Sequence, residues 1–133
     1  MYLVDTNVWL ERLLDQECSE EVARFLSSVP TTQLCITDFA FHSISLILAR
    51  FGETEALRSF VKDAFSDGDV TLLHLMPEDT EYILQVMRKF SFDYDDAYQY
   101  VAAEKYNLII VSFDADFERT IRGRKSPGEV LES

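Results

Sequence analysis

The chain is short of the residues that staple or punctuate unusual folds: in 133 residues it has two cysteines, four glycines and three prolines. Two thiols, Cys18 and Cys35, do not amount to a disulfide framework, and in a chain long enough to bury a core they fit reduced cysteines in a cytoplasmic setting. Scarce glycine and proline exclude collagen-like and low-complexity chains. Positive charge is scarce too, with 12 Lys and Arg against 24 Asp and Glu and a net charge of −12. That balance excludes a protein that coats DNA indiscriminately, because such contact relies on an excess of basic side chains. No apolar run approaches the ~20 residues that a membrane-spanning helix needs, so no membrane association is expected. The stretch from Met1 to Leu10 is interrupted by Asp5 and Asn7 and lacks a basic start, and so does not read as a signal peptide.

What is present is a globular composition, 47% hydrophobic and 13% aromatic, with no segment that reads as a linker. A single domain over 1–133 is expected. Leu3-Val4 reads as a strand that stops at Asp5, and Val8, Trp9, Leu13 and Leu14 then recur at helical spacing. Ser19-Glu20-Glu21 opens a helix with Val22, Phe25, Leu26 and Val29 on its apolar face, and Pro30 ends it. Leu34 to Thr37 leans to strand, Phe39 to Phe51 to a buried helix closed by Gly52, and Glu53 to Phe65 to an amphipathic helix. Val70 to Leu75 is a candidate strand, followed by a helix from Pro77 to about Lys89. A further helix opens at Asp95-Asp96 and fades at Asn107, before the buried strand Leu108 to Val111. Four strands alternating with helices imply crossovers and an α/β fold, a mainly parallel sheet covered on both faces.

In such sheets the ligand site lies beyond the carboxyl ends of the strands. Asp5 follows the first strand directly and Asp114 follows the last after Ser112-Phe113. Asp96 sits in the first turn of its helix, where free N–H groups favour its ionised form, and Asp116 lies in a turn two residues beyond Asp114. Ionised carboxylates gathered in this way repel one another unless a cation intervenes, and oxygen ligands without His or Cys suit Mg²⁺ or Mn²⁺ rather than zinc. Each aspartate alone has a plainer reading, as a helix cap or a turn former. Their joint placement at one end of the sheet is what the plainer reading leaves unexplained.

Val4-Asp5-Thr6-Asn7, the Asp95-Asp96-Ala97 helix opening with Ala102-Ala103, and Ser112-Phe113-Asp114-Ala115-Asp116-Phe117 together resemble the PIN-domain nucleases, and most of all small stand-alone proteins typified by VapC ribonuclease toxins. The resemblance implies a three-layer α/β/α sandwich and a Mg²⁺- or Mn²⁺-dependent ribonuclease. It also implies an RNA substrate, a cognate antitoxin and commonly a homodimer. Asp5, Asp96 and Asp114 match the first, third and fourth family carboxylates as catalytic and metal-binding residues, with Asp116 as the auxiliary acid. The second carboxylate is missing: His42-Ser43 stands where the family has Ala-Glu. Asp38, His42, Ser43 and Asn7 are candidate accessory groups. The missing glutamate keeps open an alternative, a catalytically silent module that binds RNA or protein. A phosphotransferase with Asp5 as nucleophile, on the haloacid-dehalogenase pattern, wants a second aspartate where Asn7 stands.

Four of the twelve basic residues, Arg119, Arg122, Arg124 and Lys125, fall within seven positions. They read either as a rim guiding an RNA backbone, with Arg119 and Arg122 foremost, or as a solvated tail. Tyr94, Tyr98, Tyr100 and Tyr106 surround the Asp96 helix and read first as core packing, second as base-stacking platforms. His74 reads as structural.

Overall fold

The computed structural model describes residues 1–132. Four strands, β1 (Tyr2–Val4), β2 (Leu34–Thr37), β3 (Thr71–Leu73) and β4 (Ile109–Val111), form one sheet in the order β3-β2-β1-β4, with every neighbouring pair parallel. Seven α-helices connect and cover them: α1 (Thr6–Leu13), α2 (Ser19–Ser28), α3 (Asp38–Arg50), α4 (Thr54–Val61), α5 (Thr80–Phe90), α6 (Tyr94–Lys105) and α7 (Pro127–Leu131). No helix among the described residues is long and apolar enough to cross a membrane.

Alternation along the strands divides the core. Val4, Leu34, Ile36 and Val111 point to one side, where they pack with Val8 and Trp9 of α1, Phe25 of α2, Ile44 and Leu48 of α3 and Phe60 of α4. Leu3, Cys35 and Ile110 point to the other, against Ile83 and Val86 of α5 and Ala97, Val101 and Ala102 of α6. The two-residue period of a strand thus produces the three-layer sandwich. Leu3 is fully buried, and truncating it to alanine is expected to cost roughly 2–5 kcal/mol through lost burial and the cavity left behind. Cys35 is buried and Cys18 partly so, and both thiols are free.

Three helices that bear on the site start immediately after extended backbone and are capped by their own sequence. Asp5 caps α1 by accepting the Thr6 N–H, Thr37 caps α3 through Ala40, and Asp93 caps α6 through Asp96. Such caps satisfy N–H groups that the first turn leaves without partners.

Several boundaries differ from the sequence reading. The helix expected over Glu53–Phe65 is α4 followed by a wider π turn, Lys62–Ser66. Gly68 closes against that turn so tightly that a Cβ would lie 2.5 Å from the Asp63 carbonyl oxygen. The helix expected from Pro77 begins as a 3-10 turn, Pro77–Asp79, and becomes α5 only at Thr80. The strand expected over Val70–Leu75 pairs only over Thr71–Leu73. The polar tail is ordered: Lys125 bridges to Val111, and α7 begins with a capping box of Ser126 and Glu129.

Candidate metal centre

The register of the sheet sets the site. Val4 pairs with Val111, so Asp5 and Ser112 emerge side by side, and the Asp5 N–H extends the ladder by one bond to the Val111 carbonyl, 2.9 Å. The Ser112 hydroxyl donates to Asp5 Oδ2 at 2.7 Å and accepts the Asp114 N–H at 3.0 Å. One side chain thereby ties the β1 end to the loop that carries the later aspartates. Asn7 completes the tie: its Nδ2 donates to Ser112 Oγ at 3.2 Å and lies 3.5 Å from Asp5 Oδ2, while its Oδ1 accepts the Phe113 N–H.

Asp5 is 7% exposed. Burial pushes its carboxyl above the ordinary value, opposed by hydrogen bonds from Gln99, Ser112 and Thr6. Gln99 on α6 is 3% exposed, donates to Asp5 Oδ1 at 3.0 Å and accepts the Thr37 hydroxyl at 2.7 Å.

Beyond Asp5, the α6 N-terminus meets the turn after β4. Asp96, Asp114 and Asp116 each offer a carboxylate oxygen, and the three oxygens lie within 4.8 Å of one another. Asp114 Oδ1 accepts the Asp116 N–H at 2.9 Å, which shapes the turn. The helix start is expected to favour the ionised form of Asp96, but burial instead pushes its carboxyl up to about 7, reinforced by the negative charges of Asp93, Asp114, Asp5 and Asp116. The donor set is oxygen throughout and carries more negative charge than its surroundings neutralise, which fits a hard divalent cation such as Mg²⁺ or Mn²⁺.

The remaining candidates divide between the start of α3 and the basic segment after Asp116. Asp38 is exposed, and its Oδ1 accepts the Tyr98 hydroxyl at 2.7 Å and the Phe39 N–H at 2.8 Å. His42 is exposed and Ser43 half-buried on α3, and Asp38 and His42, like Asp5, lie outside the set of oxygens within 4.8 Å of one another. Arg119 reaches Asp116 Oδ1 at 2.7 Å, donates to the Phe90 carbonyl at 2.6 Å and lies over the Phe92 ring. Arg122 donates to Asn107 Oδ1 and the Leu108 carbonyl, and Arg124 to the Ser112 carbonyl and Glu118. Much of the basic tail is therefore spent on the protein's own acceptors. Tyr98 and Tyr100 are core residues, while Tyr94 and Tyr106 are each 39% exposed.

Sequence reasoning passed over Gln99, Ser112 and Thr37. The available signal for Gln99 was an amide amid the small apolar residues Ala97, Val101 and Ala102, a buried polar group that needs partners.

No curated protein matches the chain. Among solved structures it is similar to a toxin-antitoxin complex from Klebsiella pneumoniae, with a TM-score of 0.75 at 16% identity, covering 96% of this chain and 98% of that one. It is also similar to VapC20 of Mycobacterium tuberculosis, a sarcin-ricin loop cleaving toxin, with a TM-score of 0.75 at 17% identity over 89% and 93% of the two chains. FitAcB of Neisseria gonorrhoeae gives 0.74 at 19% identity over 96% and 98%. These likenesses establish a shared fold. Residues 2–122 match the PIN domain, and the chain belongs to the PIN-domain family.

Proposed function

We propose that this chain is a divalent-metal-dependent endoribonuclease, the toxin component of a toxin-antitoxin pair. The observation that carries the reading is the clustering of Asp96, Asp114 and Asp116 oxygens within 4.8 Å beside buried Asp5, in a PIN-domain chain. These four aspartates would hold Mg²⁺ or Mn²⁺. When bound, such an ion supplies a water of lowered pKa and charge stabilisation for an in-line displacement at phosphorus. The chain's own contribution is positional: Ser112, Asn7 and Gln99 fix Asp5, and the Asp93 cap and the 114–116 turn fix the other three.

The RNA backbone would meet Arg122 and Arg119, both of which are exposed. An antitoxin partner is supported by the toxin-antitoxin complex that shares the fold. A homodimer is the expected assembly, measurable by light scattering.

The test is cleavage of RNA by the purified chain with Mg²⁺ or Mn²⁺. Activity should need the metal and disappear in Asp5→Asn and Asp96→Asn. Metal-dependent cleavage that survives both substitutions would overturn the assignment. One observation favours a second reading, a silent module that binds RNA or a protein: Ser43 supplies no charge where the family has a glutamate. Calorimetry finding no Mn²⁺ binding by the folded chain at millimolar metal would select it.

A further inference from the structure

Asp5 is held by a line of hydrogen bonds whose direction is set from the far end. The Ala40 N–H donates to Thr37 Oγ1 at 3.0 Å, which leaves the single hydroxyl proton of Thr37 for Gln99 Oε1, 2.7 Å away. With its oxygen so engaged, the Gln99 amide must turn its nitrogen toward Asp5, and Nε2 lies 3.0 Å from Oδ1. The line is shut off from water, with Thr37 0%, Gln99 3% and Asp5 7% exposed.

The two oxygens of Asp5 are consequently unlike. Oδ1 receives two well-placed donors, the Thr6 N–H at 2.9 Å and Gln99, which fill its two lone-pair directions. Oδ2 receives one short bond from Ser112 at 2.7 Å, and Asn7 Nδ2 stands off at 3.5 Å, beyond the usual range for an N–H···O bond.

We propose that Gln99 is a positioning residue which, oriented by the Thr37 hydroxyl, closes Asp5 Oδ1 and presents Oδ2 alone to a divalent cation. The proposal rests on the metal-dependent reading above and adds to it a residue outside the carboxylate set. It also gives the start of α3 a route to the site that does not pass through Ser43: the residue that caps α3 aims the amide that aims the aspartate. A purely structural amide, pinning α6 to the sheet, would affect folding and leave metal affinity alone.

Mn²⁺ titration calorimetry on the full chain, with melting curves recorded without metal, separates the two. Partners of ligating side chains typically contribute 10- to 100-fold to metal affinity, so Gln99→Met should weaken Mn²⁺ binding by roughly that factor in a chain that still melts cooperatively. Thr37→Val, which keeps the shape and removes the hydroxyl, should weaken it in the same direction. Thr37→Ser, which keeps the hydroxyl, should bind within a few-fold of the parent. The Thr37 pair decides the matter if Gln99→Met fails to fold. Unchanged Mn²⁺ affinity in Gln99→Met and Thr37→Val, with lowered melting temperatures, would overturn the proposal and leave the metal reading standing. Absence of Mn²⁺ binding by the parent chain would remove both.

Discussion

The two sides of the aspartate group are built in opposite ways. Around Asp5 there is a surplus of donors, from Thr6, Gln99, Ser112 and, at longer range, Asn7. Around Asp96 there is a surplus of acids, Asp93, Asp114, Asp5 and Asp116, and its carboxyl is driven up to about 7. Neutral dipoles hold one carboxylate in place whether or not a cation is present. Asp96 is left with a repulsion that a proton or a cation relieves.

The contrast can be tested hardest at its two poles. Asp5→Asn and Asp96→Asn should each reduce metal-dependent cleavage by about 100-fold or more, beyond what the loss of a supporting partner costs. They should part company in stability. Asp96→Asn removes a repelled charge and should raise the melting temperature of the metal-free chain at pH 8, whereas Asp5→Asn should give no such gain. A gain of equal size in both would erase the distinction drawn between them.

A smaller effect is expected from pH. The folded-state carboxyl of Asp96 is raised from 3.8 to about 7, so the folded chain binds more protons than the unfolded one across that window. Its contribution to stability is fully present below about pH 4 and is lost as the pH rises through 7. Without metal, the Asp96-dependent part of the melting temperature should fall between pH 5 and 8, and in Asp96→Asn that part should vanish. Mn²⁺ should restore stability most at the alkaline end, with proton release visible by calorimetry near pH 6.

Arg119 pairs with the acidic side through Asp116. In Arg119→Gln the cluster loses that partner, so Mn²⁺ affinity should rise a few-fold while metal-free stability declines. The smallest change should come from Arg122→Gln, which lies off the cluster. If it meets an RNA phosphate, the salt dependence of RNA binding should flatten by about one unit of slope; an unchanged slope would assign it to Asn107 and Leu108 alone.

Much of this architecture is legible in the residues because strand and helix periods are local. Leu3 and Val4 fall on opposite faces because they are adjacent, and the strand-end rule sends Asp5 and Asp114 to the same edge without knowledge of any contact. Partnerships at long range are where reading stops. Gln99 meets Thr37 and Asp5 across 62 and 94 positions, and no local pattern encodes either meeting. Phe65 continues the α4 apolar pattern, yet the backbone widens at Lys62–Ser66 and brings Gly68 against the Asp63 and Ala64 carbonyls. By contrast, Ser126-Pro127-Gly128-Glu129 carries a full helix-start signature that the sequence reading leaves unassigned, and it opens α7.

The three residues of β1 have a further consequence. Leu3 fills one half of the core, Val4 the other, and Asp5 follows at once. Sliding β1 by one residue against β2 and β4 would exchange the two apolar side chains between faces and carry the aspartate away from Ser112 and Gln99. Misalignment therefore exposes itself as a failure to fold before it can yield a well-folded chain with a displaced aspartate. Quality control of the core is, at this strand, also quality control of the site.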